Sequence, residues 1–579
     1  MSKKILLVYP EIPTTYWSFS YALPFIGKKV FLPPLGLITV ASLLPEDYEV
    51  SLIDLNVGQL QRRDIEEAEL VFISAMIVQK KSFKQIVRMC NECGRPVVAG
   101  GPYPISSYED IEGVDFFVLD EAELTLPKFL SDLEAGSPKK LYRNHDKPDI
   151  TRTPPPRFDL IDIEAYDSMP LQYSRGCPYN CEFCDIIEMF GRIQRTKTPL
   201  QFVREMAAVY STGFRGQLFI VDDNFISNRR RVKALLKEII AWQREHNSPF
   251  SLSTQASIDL AQDDELLDLM VEAGFTMAFI GIETPDEKTL AFTRKGQNLK
   301  SGLMESILKI QKRGIEVTGG FILGFDTDPP DIFDRQIDFI QRAGIPIAMI
   351  GLLNALPNTR LYRRLKEEGR LLKASTGNNT HDLTLDFKPL MPAETLIRGY
   401  KRVIAALYSP KKYFERCSTL ISRLPVKTKS VRSLSWIEIK ALFLSIAKQA
   451  FSSYGIHYLR FLAAVLLTRI RLFPDAASMA IKGYHFFKIT NEVAMAEEFS
   501  CRLTTARQSF QPRVAEIIRK GKIVLAVEME KHILLILSRL QKKYRRFSRG
   551  MQQNLHEAFL EFSGHCNIWI ADLQLVIYR

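Results

Sequence analysis

Cys177-Pro178-Tyr179-Asn180-Cys181-Glu182-Phe183-Cys184 carries three thiols, with three and then two residues between them. It follows an apolar run, Met169 to Tyr173, that reads as a strand. Three thiolates on one tight loop can hold three irons of a four-iron, four-sulfur cluster, a group that ordinarily takes four cysteines. The next cysteine in the chain is Cys417. One iron is therefore left without a protein ligand, as in the open metal sites where substrate chemistry happens. A structural zinc wants four ligands at spacings such as C-x2-C, and the nearest downstream histidine, His246, stands outside any ligand pattern. A disulfide would use two thiols and strand the third.

With Phe183 in the aromatic place, the spacing resembles the signature of the radical S-adenosylmethionine (SAM) superfamily, and the resemblance implies that Phe183 lies beside the cofactor. The resemblance implies that Cys177, Cys181 and Cys184 ligate a [4Fe-4S] cluster whose open iron chelates the amino and carboxylate groups of SAM. It implies that one electron splits the sulfonium into methionine and a 5'-deoxyadenosyl radical, which removes hydrogen from an unactivated carbon. A flavodoxin, ferredoxin or reductase is then needed as electron donor.

Downstream, residues 169–372 read as six strand–helix units, with strands at 169–174, 217–222, 251–254, 277–281, 317–323 and 347–353. Six units fall short of the eight that close a complete barrel, so a partial (β/α)6 barrel with an open side is predicted. Asp222 and Asp223 end the second strand. They read either as a cap ahead of Arg229–Arg231 or, by the resemblance, as holders of the SAM amino group. Gln255 ends the third strand and can bond a ribose or carboxylate. Gly281-Ile282-Glu283 resembles a turn that lines the adenosine site. Leu353 to Tyr362 resembles the P-x-T-x-L-Y stretch that follows the sixth strand.

Upstream, residues 1–140 alternate strand and helix signals, with strands near 5–9, 50–55, 70–75, 97–99 and 116–119. That alternation predicts a doubly wound parallel sheet, α/β in class, with ligands at the carboxyl ends of the strands. The loops there carry Asp54-Leu55-Asn56, Met76-Ile77 and Gly100-Gly101-Pro102. The paired glycines suit a bulky ligand or a plain tight turn. The segment resembles the N-terminal cobalamin-binding domain of one radical SAM class. Pro33-Pro34-Leu35-Gly36 and Gly100-Gly101-Pro102 match, and Asp120-Glu121-Ala122-Glu123 stands where an acidic turn closes that domain. The first histidine in the chain is His145, so Asp54-Leu55-Asn56 occupies the D-x-H position without an imidazole. The resemblance implies cobalamin with its lower face bare, watered or shielded by a side chain. It points to Asp54, Asn56, Met76, Gly100, Gly101 and Pro102 as contacts, and ordinary core packing is the other reading of Met76 and Ile77. Cys90 and Cys93 lie near a helix end, not at a helix start where the dipole would activate a thiol, and read as packing.

The 579 residues predict about three domains. The expected division is 1–140, a linker at 141–168, the barrel at 169–372, a subgroup-specific extension at 373–420 and a basic helical region at 421–579. The stretch Thr376 to Pro389, with His381 and Asp382, is a candidate cover for the barrel mouth. Hydrophobic residues make up 46% and charged residues 25%, as in soluble globular proteins. The clustered cysteines do not suggest a secreted disulfide framework, and no signal peptide opens the chain; a cytoplasmic protein is expected. From residue 421 onward there are 25 Lys/Arg against 11 Asp/Glu. That surplus of 14 exceeds the net +11 of the whole chain, so the remainder is 3 negative, and charge does not support a nucleic-acid protein overall. Three readings of the tail stand: docking on the inner face of an anionic membrane, binding of nucleic acid, or solvated helix faces.

Residues 1–419 look like the subgroup of cobalamin-binding radical SAM proteins that contains the hopanoid C-2 methylase, with the bacteriochlorophyll side-chain methylases related at a greater distance. The resemblance implies a C-methyltransferase acting on an sp3 carbon of a hydrophobic, lipid-like substrate. A saturated carbon is no nucleophile, so hydrogen abstraction must precede methyl transfer. One alternative keeps both cofactors but closes or oxidises a ring without net methylation. The other is a nucleic-acid modifying or binding protein; the relatives that thiolate transfer RNA carry an extra N-terminal cluster on three more cysteines, and residues 1–140 offer only Cys90 and Cys93.

Overall fold

The computed structural model describes residues 3–300, 302–380, 383–426, 436–547 and 549–578; His381, Asp382 and Ser548 lie outside them. Two compact units are present, Met1–His485 and Phe486–Arg579.

The first unit opens with six parallel strands: β1 Lys4–Tyr9, β2 Glu49–Asp54, β3 Leu70–Ser74, β4 Val97–Gly100, β5 Phe116–Val118 and β6 Leu141–Tyr142. Their order is β2-β1-β3-β4-β5-β6, so the chain reverses direction across the sheet at β1. Side chains alternate between two apolar layers. Ile5, Leu7 and Phe72 pack with Leu37 and Phe129 on one face. Leu6, Val8, Val71 and Ile73 pack with Phe83, Ile86 and Cys90 on the other. Continuous apolar strands buried on both faces are what a parallel sheet requires. Cys90 is a packing residue here, its thiol pushed up to about 12 chiefly by burial.

The segment expected to be a linker is part of the body. Leu141–Tyr142 adds a sixth strand through the Val118 to Tyr142 register, and Val30 forms a parallel bridge with Tyr166. Two residues give too short an alternation to be seen in sequence.

The barrel strands are β7 Ser168–Leu171, β10 Gln217–Ile220, β11 Ser251–Ala256, β12 Phe275–Glu283, β13 Glu316–Leu323 and β14 Ala348–Leu352, paired in parallel in that order. β7 and β14 remain the two edges, so the barrel stays open. A small antiparallel pair, β8 Ser174–Arg175 and β9 Arg195–Thr196, brackets the cysteine loop. Helices Ala393–Leu407 and Pro410–Arg423 close the far side. Fully buried Arg416 fixes them, donating from Nε to the Ile345 carbonyl at 3.0 Å and from Nη1 to that of Leu407 at 2.7 Å.

Helices Trp436–Gln449 and Gly455–Thr468 follow. Beyond His485 the second unit is helical, with Phe499, Phe510, Ile533 and Trp569 in its core. No helix among the described residues is long and apolar enough to cross a membrane.

Candidate cluster and cofactor site

The cysteine loop starts at Gly176, whose φ of +93° suits glycine. A Cβ there would lie 2.9 Å from the Ile193 carbonyl oxygen and 3.0 Å from that of Gly191. The close approach lets the Cys177 amide donate to the Gly191 carbonyl at 3.2 Å. Further along, the Glu182 amide donates to Thr293 and the Leu361 amide to the Glu182 carbonyl, at 3.1 and 3.0 Å. The Glu182 carboxylate takes Arg364 Nε at 2.6 Å. Phe183, expected beside the cofactor, packs its ring 5.7 Å from Phe325, against the Leu361 and Phe387 cluster. It anchors the loop.

Cys181 is buried, and Cys177 and Cys184 are half-buried. Burial pushes the Cys177 and Cys184 thiols up, so bound cations are needed to hold both as thiolates. Among the described residues no three His, Cys, Asp or Glu side chains converge on the position of one ion. Separate corner irons of a cube do not demand such convergence. The donor chemistry, three unbridged thiols on one loop, fits the cluster.

The sequence reading missed the residues facing this loop from beyond β12. Gln297 is buried and donates from Nε2 to Cys181 Sγ at 3.7 Å. Its own Oε1 is buried without a partner. Lys295 Nζ binds Glu283 Oε1 at 2.7 Å and lies 6.0 Å from the centre of the Phe183 ring. Burial alone would lower the Lys295 pKa, but Glu283 and the thiols at 181 and 184 turn the net shift upward. Asn298 fixes the turn by donating to the Gly281 and Ile282 carbonyls at 3.1 and 2.9 Å. Glu283 itself has a left-handed φ of +65° at a register shift in β12. Such backbone in a non-glycine residue is costly and gathers at functional sites.

Asp222 and Asp223 are not equivalent. Asp222 is fully buried; its Oδ1 accepts the Tyr173 amide at 2.7 Å and its Oδ2 the Ser174 hydroxyl at 2.5 Å. It positions the strand ahead of Cys177 and is not available to a cofactor, correcting the sequence expectation. Burial raises it to about 7. Asp223 accepts the Gly176 amide at 3.1 Å, is half-buried, and burial raises it to about 6. Gln255, half-buried near the end of β11, makes no side-chain hydrogen bond among the described residues.

At the N-terminal sheet, Asp54 and Asn56 are committed to the fold. Asp54 accepts the Tyr166 hydroxyl at 2.9 Å and the Asn56 side-chain amide at 2.6 Å; Asn56 Oδ1 accepts the Ile12 amide at 2.7 Å. Internal bonding fills the place that an imidazole ligand would take. The glycine pair approaches protein, not open space: a Cβ on Gly100 would lie 2.8 Å from the Val118 carbonyl oxygen, and one on Gly101 would meet Ser74 Oγ and the Ala75 backbone. The tight-turn reading accounts for both, and exposed Pro102 begins a short helix. Met76 stays 39% exposed at the end of β3, while Ile77 sits under the Gly377 turn. With Met76 the exposed apolar side chain there and no histidine before His145, a corrinoid at these strand ends would be held without a protein imidazole from this sheet.

The acidic turn joins the two sheets. Glu121 binds Arg175 and Arg195, each at 2.8 Å, and Glu123 binds Arg175 at 2.8 Å. Arg175 stands two residues before Cys177.

The Radical SAM superfamily model matches residues 171–340, and a domain of unknown function (DUF4070) matches residues 359–498. An uncharacterized methyltransferase of Synechocystis sp. is 45% identical over 77% of this chain and 84% of its own length. The hopanoid C-2 methylase of Rhodopseudomonas palustris is 33% identical over 72% of this chain and 79% of its own. The fold is shared with a radical S-adenosylmethionine methyltransferase, TsrM of Kitasatospora setae, solved with cobalamin and a [4Fe-4S] cluster. The TM-score is 0.54, with 16% identity, 83% of this chain and 99% of that one covered.

Proposed function

The chain belongs to the radical SAM methyltransferases that include the hopanoid C-2 methylase, and from that premise we propose that it is a cobalamin-dependent C-methyltransferase acting on an unactivated sp3 carbon of a hydrophobic, lipid-like substrate. The observation that carries the reading is the loop of three unbridged thiols faced by Gln297 and Lys295 and tied through Arg175 to the N-terminal sheet.

When bound, the cluster supplies one electron and an open iron for SAM, and cobalamin supplies a transferable methyl group. Cys177, Cys181 and Cys184 would hold the cluster. Gln297 donates to Cys181 Sγ, one of the three thiols that would ligate it. We read Glu283 at the end of β12, Gln255 near the end of β11 and Asp223 in the loop after β10 as the residues that would meet the polar groups of SAM. Met76 offers an apolar contact at the edge of β3. Arg175, clamped by Glu121 and Glu123, ties the strand ahead of the cysteine loop to the N-terminal sheet. No side-chain acid or base is required at the substrate carbon.

The test is anaerobic reconstitution with iron, sulfide and cobalamin, then incubation with SAM, a reductant and a hydrophobic extract. Mass spectrometry is expected to find a product heavier by one CH2 unit, together with 5'-deoxyadenosine. Changing Cys177, Cys181 or Cys184 to Ala is expected to abolish the 5'-deoxyadenosine. A product of unchanged carbon count would move the reading to ring closure or oxidation. Reconstituted protein that shows no four-iron EPR signal after reduction would remove it.

A further inference from the structure

Helices Trp436–Gln449 and Gly455–Thr468 are apolar on both faces. In the second, Tyr458, Phe461, Leu462 and Val465 point inward and are buried. Ile456, Leu459 and Leu467 point outward, and Leu467 is 85% exposed. Phe443 on the first helix is 68% exposed and Phe451 in the connecting turn 93%. A helix apolar all round is normally enclosed, and at 14 residues each these are too short to span a bilayer. The charge pattern selects the occupant. From Trp436 to Pro474 the sequence has one acidic residue, the half-buried Glu438, against Lys440, Lys448, Arg460, Arg469 and Arg471. Arg469 is taken up by the fold, donating to the Leu424 carbonyl at 2.6 Å. Lys448 lies over the Phe25 ring at 4.6 Å. Lys440, Arg460 and Arg471 are exposed beside the apolar side chains.

We propose that this helical pair lies flat on an anionic lipid surface, with Phe443, Phe451, Leu459 and Leu467 in the acyl boundary and Lys440, Arg460 and Arg471 at the phosphates. Apolar insertion edged by cations is the pattern of interfacial helices, and the negative leaflet attracts each basic group. A second copy of the chain fits worse, because a two-fold interface would set the same cations against one another. RNA fits worse: Phe443 and Phe451 could stack on bases, but the exposed aliphatic side chains Ile456, Leu459, Leu466, Leu467 and Ile470 neither pair with phosphates nor stack.

The test is flotation of the full chain with phosphatidylcholine vesicles, with and without about a third phosphatidylglycerol. The inference does not rest on the methyltransferase reading: flotation needs no cofactor, so either can fail alone. The chain is expected to float with the anionic vesicles, not with the neutral ones, and to be weakened at about 1 M salt, where screening shortens to about 3 Å. Leu467→Glu is expected to weaken partition about tenfold or more, since one buried aliphatic side chain is lost. Arg460→Gln with Arg471→Gln should weaken it on anionic vesicles alone. Circular dichroism checks that each variant is folded; should Leu467→Glu be unfolded, Phe451→Glu decides. The proposal is overturned if the wild type stays in solution with anionic vesicles, or if a folded Leu467→Glu floats unchanged. It is equally overturned if Leu467 instead controls self-association or RNA binding.

Discussion

Lys295 and Gln297 form the immediate polar surroundings of the cysteine loop on the β12 side, and their effect has a definite sign. Reduction makes a cluster more negative, so a nearby ammonium and an N–H to sulfur donor both favour the reduced form. Glu283 offsets part of the Lys295 charge. Lys295→Met is expected to shift the reduced-to-oxidised ratio of the reconstituted cluster about tenfold towards oxidised, about 59 mV for a one-electron couple. Lys295→Arg should restore most of it, and an EPR-monitored redox titration reads both. Unchanged potential in a variant with full iron content would remove the role. Asp222 gives a prediction of a different kind. Burial holds its carboxyl at about 7, above the ordinary 3.8 of an exposed aspartate. The protonated folded state is therefore favoured, and its contribution to stability is complete below about pH 4 and lost as pH rises through 7. The slope reaches about 1.4 kcal/mol per pH unit in that window. Asp222→Asn, which cannot titrate, should flatten the Tm against pH profile between pH 4 and 7.

At the level of elements, β8 and β9 decide whether the cysteine loop is held in place. Arg175 on β8 and Arg195 on β9 share the Glu121 carboxylate, which is 3% exposed as a side chain. Removing one member of a buried pair leaves an uncompensated charge, at a cost of about 3–5 kcal/mol. Glu121→Gln is expected to lower the Tm by several degrees and to reduce the iron bound after reconstitution. A loss of stability with full iron content would confine Glu121 to a structural role. The thiol loop was legible in the sequence because its signal is local, eight residues with fixed spacing. The strands were legible because buried parallel strands are continuous apolar runs. Gln297 was not, because it meets Cys181 across 116 residues from a turn with no periodicity. The Asp222 and Asp223 pair was half legible. Adjacent residues at a strand end point to opposite faces, and only the β7–β10 register, Ile220 beside Leu171, tells which faces inward.

Within the first unit, two sheets and the post-barrel segment must act together, since a radical made at one loop is useful only beside the other. Ion pairs through Glu121 hold the base of that arrangement, and the segment after β14 reaches across its rim. The Leu352 amide donates to the Asn379 carbonyl at 3.0 Å, and Asn354 donates to Ser375 Oγ at 3.0 Å. Between these anchors Gly377, with φ +70°, turns so closely over the N-terminal sheet that a Cβ would meet the Ile77 side chain and lie 3.3 Å from the Val78 nitrogen. A larger residue must therefore push the segment off Ile77, and valine also carries the left-handed backbone penalty of about 1–2 kcal/mol. Both cofactor loops are anchored elsewhere, so Gly377→Val should leave iron and cobalamin content near wild type. What it should change is coupling: more 5'-deoxyadenosine per methylated product, as the substrate radical and the methyl donor are held less closely. Quantifying both products in one reaction by mass spectrometry measures that ratio. A variant that keeps the wild-type ratio would show that the segment is a cover without a positioning role, and that the Glu121 ion pairs alone set the alignment.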